Sequence, residues 1–195
     1  MQNKDLNEQY WNSQYLGNTT GWDMKQVSPP LKAYIDQLTR KDLRILIPGC
    51  GNSYEAEYLL NQGFTNITLI DIAPALVESL QKKFADNPSI RVLLGNFFEH
   101  KGSYDLILEQ TFFCALDPAL RSAYVTKMHE LLKTNGILAG VLFNRAFEGG
   151  PPFGGSEAEY REIFAKSFQI RTLAPCYNSF IKREGAEVFM IFIRK

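Results

Sequence analysis

Two glycines and one acid carry the most chemistry. The run Arg44-Ile45-Leu46-Ile47-Pro48 ends in Gly49-Cys50-Gly51, and the run Thr68-Leu69-Ile70 ends in Asp71-Ile72, with Asp71 twenty residues beyond Gly51. Two short apolar runs separated by helical spacing describe a β-α-β unit. Its glycines let the backbone approach a ligand, and an acid at the end of the second strand can accept hydrogen bonds from both hydroxyls of a ribose. The pattern predicts a nucleoside-bearing cofactor. The turn continues Asn52-Ser53-Tyr54, so Tyr54 stands where a dinucleotide fingerprint has its third glycine. That glycine permits close helix packing beside a pyrophosphate. A donor without phosphates does not need it, which disfavours a nicotinamide-dependent oxidoreductase but leaves it as an alternative.

Other reactive side chains are few. The histidines are His100 and His129, and the cysteines Cys50, Cys114 and Cys176 are widely separated. Neither set has metal-ligand spacing, so no protein-bound metal is expected. His129 falls mid-helix and reads as a packing or surface residue. His100 follows a loop, and neither histidine sits where a base for a second substrate is expected. The thiols read as reduced packing residues, and residues 1–9 are polar and lack the pattern of a signal peptide; both features predict a cytoplasmic protein.

Charge excludes further classes. Lys plus Arg and Asp plus Glu each number 21, giving zero net charge without a run of one sign. No nucleic-acid or anionic-membrane partner is expected from such a balance. The longest apolar stretches, 137–143 and 188–193, are strand-length and too short to span a bilayer. With 195 residues, 45% hydrophobic, the chain suits a single domain, 1–195, with a full-sized core.

Elements must hold these residues in place. A polar stretch bearing Tyr10, Trp11 and Tyr15 predicts a helix over 5–17, and Pro29-Pro30 opens a second to about residue 38. Strands are predicted over 44–48, 67–71, 90–94, 104–109 and 137–143. Asn52, with Glu55 three residues on, predicts a capped helix ending at Gly63. Pro74 begins a helix to about residue 84, and Pro118 begins another that Asn135-Gly136 ends in a turn. A last helix over 156–165 precedes strands at 169–174 and 187–193, joined by a polar stretch and so paired as an antiparallel hairpin. The expected class is α/β: a Rossmann-like, seven-stranded, mostly parallel, doubly wound sheet with helices on both faces and a C-terminal antiparallel hairpin.

Several segments resemble a known family. They are Trp11-Asn12-Ser13-Gln14-Tyr15, Gly21-Trp22-Asp23, Ile47-Pro48-Gly49-Cys50-Gly51, Leu69-Ile70-Asp71-Ile72, Gly95-Asn96-Phe97-Phe98-Glu99, Thr111-Phe112-Phe113-Cys114-Ala115-Leu116 and Gly149-Gly150-Pro151-Pro152-Phe153. The chain resembles class I S-adenosylmethionine-dependent methyltransferases, within them the thiopurine S-methyltransferase family, and most of all its thiol, thiocyanate and halide methyltransferase branch. The resemblance implies S-adenosyl-L-methionine as cofactor and residues 1–40 as a helical lid over it. It implies cofactor contacts from Trp11, Tyr15, Trp22, Gly49, Cys50, Gly51, Asp71, Ile72, Asn96, Phe97, Glu109 and Gln110, with Glu109 placed to receive the donor's ammonium group. Asn96 departs from the family pattern, which commonly has an acid facing the adenine; the amide oxygen can still accept from N6. Independently, ring faces such as those of Trp11, Tyr15 and Trp22 attract a sulfonium cation without competing as nucleophiles.

Methyl transfer from a sulfonium is an in-line displacement that needs chiefly alignment. A hydroxyl or amine acceptor benefits from a positioned base. A thiol, with a free pKa near ~8.5, is already partly ionised, and a halide needs no base at all. The expected function is therefore methylation of a small soft nucleophile (a thiol, thiopurine, thiocyanate, halide or related compound) with no side chain assigned as catalytic. Phe112, Phe143, Arg145 and Phe153 are the candidate acceptor pocket, apolar with one cation for an anion. The expected partner is a small molecule, and the expected state a monomer. A non-catalytic S-adenosylmethionine-binding protein is the remaining alternative.

Overall fold

Runs in which every residue is apolar or nearly so become strands covered on both sides. In the computed structural model, which describes residues 5–195, β1 (Ile45–Pro48) and β2 (Ile67–Asp71) are buried throughout. Residues 1–4, the start of the expected lid, lie outside the described residues. β3 (Ile90–Leu94) alternates toward exposure because it is an edge, and β4 (Tyr104–Gln110) runs beside β1. β5 (Leu132–Phe143) continues the parallel set; β7 (Glu187–Arg194) pairs antiparallel with β5, and β6 (Phe168–Pro175) antiparallel with β7. The order is β3-β2-β1-β4-β5-β7-β6, a seven-stranded mixed sheet. The order reverses between β1 and β4, and open α/β sheets bind ligands above the strand ends at such a reversal.

Helices cover both faces. α2 (Pro29–Ile35), α3 (Tyr54–Asn61) and α4 (Pro74–Lys83) contribute Leu31, Leu59 and Leu76 to one core, with Ile45 and Leu69 from the sheet. α5 (Arg121–Leu131) and α6 (Glu157–Phe164) enclose the other, where Tyr124, Met128 and Phe164 meet Phe168 and Phe192. Proline starts α2 and α4, where its missing N–H costs nothing. The Ser156 hydroxyl caps α6 by accepting from the Glu159 N–H. α1 (Glu8–Leu16) buries none of its residues. It is fastened by Asn12, whose Oδ1 accepts from the Ala75 N–H at 2.8 Å at the start of α4.

Three local expectations need correction. Asn52 does not cap α3: Ser53, at φ +55°, is the residue before the helix, and it makes no side-chain cap bond. Asn52 Nδ2 donates instead to Asp23 Oδ2 at 2.7 Å, and Glu55 turns inward to accept from the Ser28 N–H at 2.9 Å. After Pro118 comes a short 3-10 turn, and the α-helix begins only at Arg121. The helix stops at Leu131, and Asn135-Gly136 lies inside β5, where the pairing with β4 slips between Tyr104 and Leu106. Asn135 absorbs the slip at φ +61°. At Asn52 and at Asn135-Gly136 a long-range partner overrides a local signal.

Candidate functional site

β1 delivers its chain to the switch point through Pro48, and the turn after it is left-handed at Gly49 (φ +54°) and Gly51 (φ +51°). A Cβ on Gly49 would stand 2.2 Å from the Phe112 ring, so glycine is needed there for space as well as for backbone angle. Above this turn lies a cavity of about 1070 Å³. Gly49, Cys50, Gly51, Asp71, Ile72, Asn96, Phe97 and Gln110 all line it, as do Trp11, Tyr15 and Trp22 from the N-terminal segment.

Asp71 ties the turn after β1 to the backbone just after β2. Its Oδ2 accepts from the Gly51 N–H at 3.3 Å and its Oδ1 from the Ala73 N–H at 3.0 Å, with the side chain buried. Burial pushes its pKa up, and the backbone N–H groups pull it back. A carboxylate has about four lone-pair sites, so capacity for a diol remains. Asn96 uses its oxygen to accept from the Phe98 N–H at 3.0 Å, capping the 3-10 turn at Phe97–Glu99. Trp22 meets Trp11 edge-on at 5.5 Å and Tyr15 at 5.9 Å. Burial first, then the nearby Asp71 charge, raises the Tyr15 pKa, so its phenol stays neutral. Both amide atoms of Gln110 are buried without a hydrogen-bond partner. An orphaned amide beside a cavity is completed by a bound water or by a polar ligand.

The cavity is lined as well by Phe112, whose ring packs on Gly49, and by Phe143, Phe147, Pro151, Pro152 and Phe180, with Arg145, Lys182 and Arg183. The Arg145 guanidinium stacks on Phe147 at 4.8 Å. Cys50 and Cys114 also line the cavity, but burial raises both thiol pKa values, that of Cys114 to about 12, so neither is a thiolate near neutral pH.

Two expected residues are not brought to the wall. Glu109 is fully buried behind it: Oε1 accepts from the N–H groups of Phe112 (2.8 Å) and Phe113 (3.0 Å), and Oε2 accepts from the Tyr124 hydroxyl. Phe153 is also outside the lining; its N–H donates to the Cys114 carbonyl at 2.6 Å. Both histidines lie elsewhere, His100 bonded to Tyr104 Oη at 2.7 Å and His129 edge-on to Phe168. Among the described residues no group of three or more His, Cys, Asp or Glu could hold a metal, and no helix is long and apolar enough to cross a membrane.

The Thiopurine S-methyltransferase (TPMT) family model matches residues 6–188. The chain belongs to the thiopurine S-methyltransferase family. It is 30% identical to a probable thiol methyltransferase 2 of Arabidopsis thaliana, over 78% of this chain and 70% of that one. It is 24% identical to thiocyanate methyltransferase 1 of Brassica oleracea, over 91% of this chain and 81% of the relative. The fold matches that of the Burkholderia thailandensis 1,6-didemethyltoxoflavin-N1-methyltransferase, solved with 1,6-didemethyltoxoflavin and S-adenosylhomocysteine bound, at a TM-score of 0.77. That match covers 96% of this chain and 87% of the other at 18% identity.

Family membership makes the chain an S-adenosylmethionine-dependent methyltransferase and leaves the nicotinamide reading unsupported. Among the wall residues of this methyltransferase that the sequence pattern missed are Asp23, Asn52, Tyr54 and Arg183. Asp23 Oδ2 accepts from Asn52 Nδ2 at 2.7 Å and from Tyr54 Oη at 3.2 Å. Tyr54 in the third-glycine position was the available signal, since a side chain there must face something.

Proposed function

We propose that the cavity holds S-adenosylmethionine over the Gly49–Gly51 turn and passes its methyl group to a small soft nucleophile: a thiol, a thiopurine, thiocyanate, a halide or a related compound. The observation that carries this reading is that one cavity gathers two kinds of wall. One kind is Asp71, the glycine turn, the orphaned Gln110 amide and three aromatic rings. The other is phenylalanine and proline with arginine, and neither histidine lines the cavity.

In this reading Asp71 accepts from the ribose hydroxyls, and Gly49, Cys50 and Gly51 let the backbone lie against the methionine part. Ile72, Asn96 and Phe97 flank the adenine. The Asn96 oxygen already accepts from the Phe98 N–H and its amide nitrogen donates to Glu99 Oε1 at 3.4 Å, so each keeps one position for the base. Gln110 replaces Glu109 as the partner of the methionine end, because Glu109 faces the core. The rings of Trp11, Tyr15 and Trp22 suit the sulfonium charge. The bound donor supplies an electrophilic methyl carbon; the chain's own residues align the acceptor and exclude water. Phe112, Phe143 and Phe147 give the acceptor an apolar seat, and Arg145 favours an anion. Of residues 1–40, the described stretch ahead of α2 acts as a lid, with α1 carrying two of its rings, while α2 itself is buried in the core. A monomer in a reducing cytoplasm suits the free thiols Cys50, Cys114 and Cys176.

The decisive experiment supplies labelled donor with a panel of thiols, thiopurines, thiocyanate and halides, beside hydroxyl and amine compounds. Labelled product from the first group is expected. Turnover confined to hydroxyls or amines, or tight donor binding without turnover on any acceptor, overturns the acceptor class.

A further inference from the structure

Residues 22–29 lead from the lid to α2, and Trp22 through Gln26 form part of the cavity wall. This strap is laced along both sides. On the donor side, Asn52 and Tyr54 hold the Asp23 carboxylate, and Glu55 accepts from the Ser28 N–H. On the acceptor side, the connection between β6 and β7 reaches across: Arg183 Nη2 donates to the Trp22 carbonyl at 2.8 Å and Asn178 Nδ2 to the Pro29 carbonyl at 3.3 Å.

Arg183 stands out among these ties. It is only 9% exposed and lines the cavity. Its guanidinium lies 5.4 Å from the Phe143 ring, a wall of the acceptor end, and 3.4 Å from the Glu187 carboxylate. The ion pair is long, and the better-made contact is the charge-assisted bond to the peptide oxygen of Trp22. That residue's ring in turn meets both Trp11 and Tyr15. A rigid guanidinium fork locks what it binds more firmly than a flexible ammonium. One buried side chain from the acceptor-side connection thus fixes the backbone that orders the aromatic cluster over the donor.

We propose that Arg183 is a positioning residue of the donor subsite, acting through the Trp22 backbone although it stands at the acceptor end. Donor affinity then depends on a residue that need not touch the donor. The inference rests on reading the cavity as the donor site, and its test reads donor binding alone, without any acceptor.

S-adenosylhomocysteine binding is titrated calorimetrically to wild type, Arg183→Met, and Arg183→Met combined with Glu187→Gln. The single variant leaves the Glu187 carboxylate buried and unpaired, which can unfold it; the double variant removes that charge while the Trp22 carbonyl still lacks its donor. Emission from the chain's two tryptophans, Trp11 and Trp22, is recorded on the free proteins. The double variant is expected to bind about tenfold more weakly than wild type, with shifted tryptophan emission. Arg183→Lys, which keeps the charge with fewer donors, is expected to fall between. Wild-type affinity in the double variant overturns the proposal, because Arg183 would then serve only to neutralise Glu187. Unchanged emission in a weakened variant overturns it as well. A wild-type chain that binds no S-adenosylhomocysteine defeats the donor reading itself, and this inference with it.

Discussion

At the scale of the residue, Asp71 and Gly49 do different work at the same turn. Asp71 is an acceptor whose remaining lone pairs face a cavity, so Asp71→Asn keeps the shape and removes the charge and part of the accepting capacity. Hydrogen bonds to a charged group contribute about 1.5–3 kcal/mol, so S-adenosylhomocysteine is expected to bind roughly 10- to 100-fold more weakly in calorimetry. Unchanged affinity would remove Asp71 from the donor site. Gly49→Ala acts on the fold, because its Cβ would stand 2.2 Å from Phe112 at a φ of +54°. The expected loss is about 2–3 kcal/mol in urea unfolding; a loss below about 0.5 kcal/mol would mean that the turn and ring relax freely. The glycines and Asp71 were legible because strand, turn and strand encode them by local spacing. Glu109 was not. Neighbouring strand residues point to opposite faces, so with Gln110 at the cavity Glu109 must face Tyr124. A sequence shows both acids and amides at a strand end but not the phase of the alternation.

At the scale of the element, that misread carboxylate is the joint between β4, the turn after it and α5. Thr111 sits at φ +59°, an unfavourable angle for a branched residue. The two N–H groups that follow are held by Glu109 Oε1, while Oε2 takes the Tyr124 hydroxyl. Burial raises the Glu109 pKa from 4.5 to about 7. The unfolded chain therefore ionises first as pH rises, and the group's contribution to stability is full below pH 4.5 and lost by about pH 7. Such a rise is linked to roughly 3 kcal/mol. Glu109→Gln can accept the same two N–H bonds without a charge to bury. The stability of wild type minus that of the variant, from unfolding at a series of pH values, should fall across this window. A flat difference would mean that Glu109 ionises in the fold as it does in water. Most elements were legible, β2 and β3 to the residue, because apolar runs and prolines mark them. The start of α3 was not, because Asn52 and Glu55 answer to Asp23 and Ser28 far along the chain, nor was the end of α5, because Asn135-Gly136 is drawn into β5.

At the scale of the molecule, the strand order creates the crevice and the N-terminal segment closes over it. Alternating strands and helices made the order readable, whereas the lacing of residues 22–29 to two distant loops leaves no periodic trace. The segment ahead of α2 is the least self-sufficient part of the described structure: α1 has nine residues, none buried, and short isolated helices are marginal in water. Its order must come from Asn12 at α4, the ties on the strap, and whatever its rings cover. Binding of the donor product should therefore be felt most strongly there. At a ligand concentration a hundred times Kd, linkage adds about 2.7 kcal/mol to global stability. Local opening of a weak segment is suppressed by the same contacts. Amide hydrogen exchange with saturating S-adenosylhomocysteine is expected to slow across Glu8–Leu16 and residues 20–28 well before it slows in Phe168–Pro175, at the far edge of the sheet. Equal slowing in that edge strand, or none in α1, would mean that the N-terminal segment is a fixed flank of the fold, and that the donor enters a site already closed.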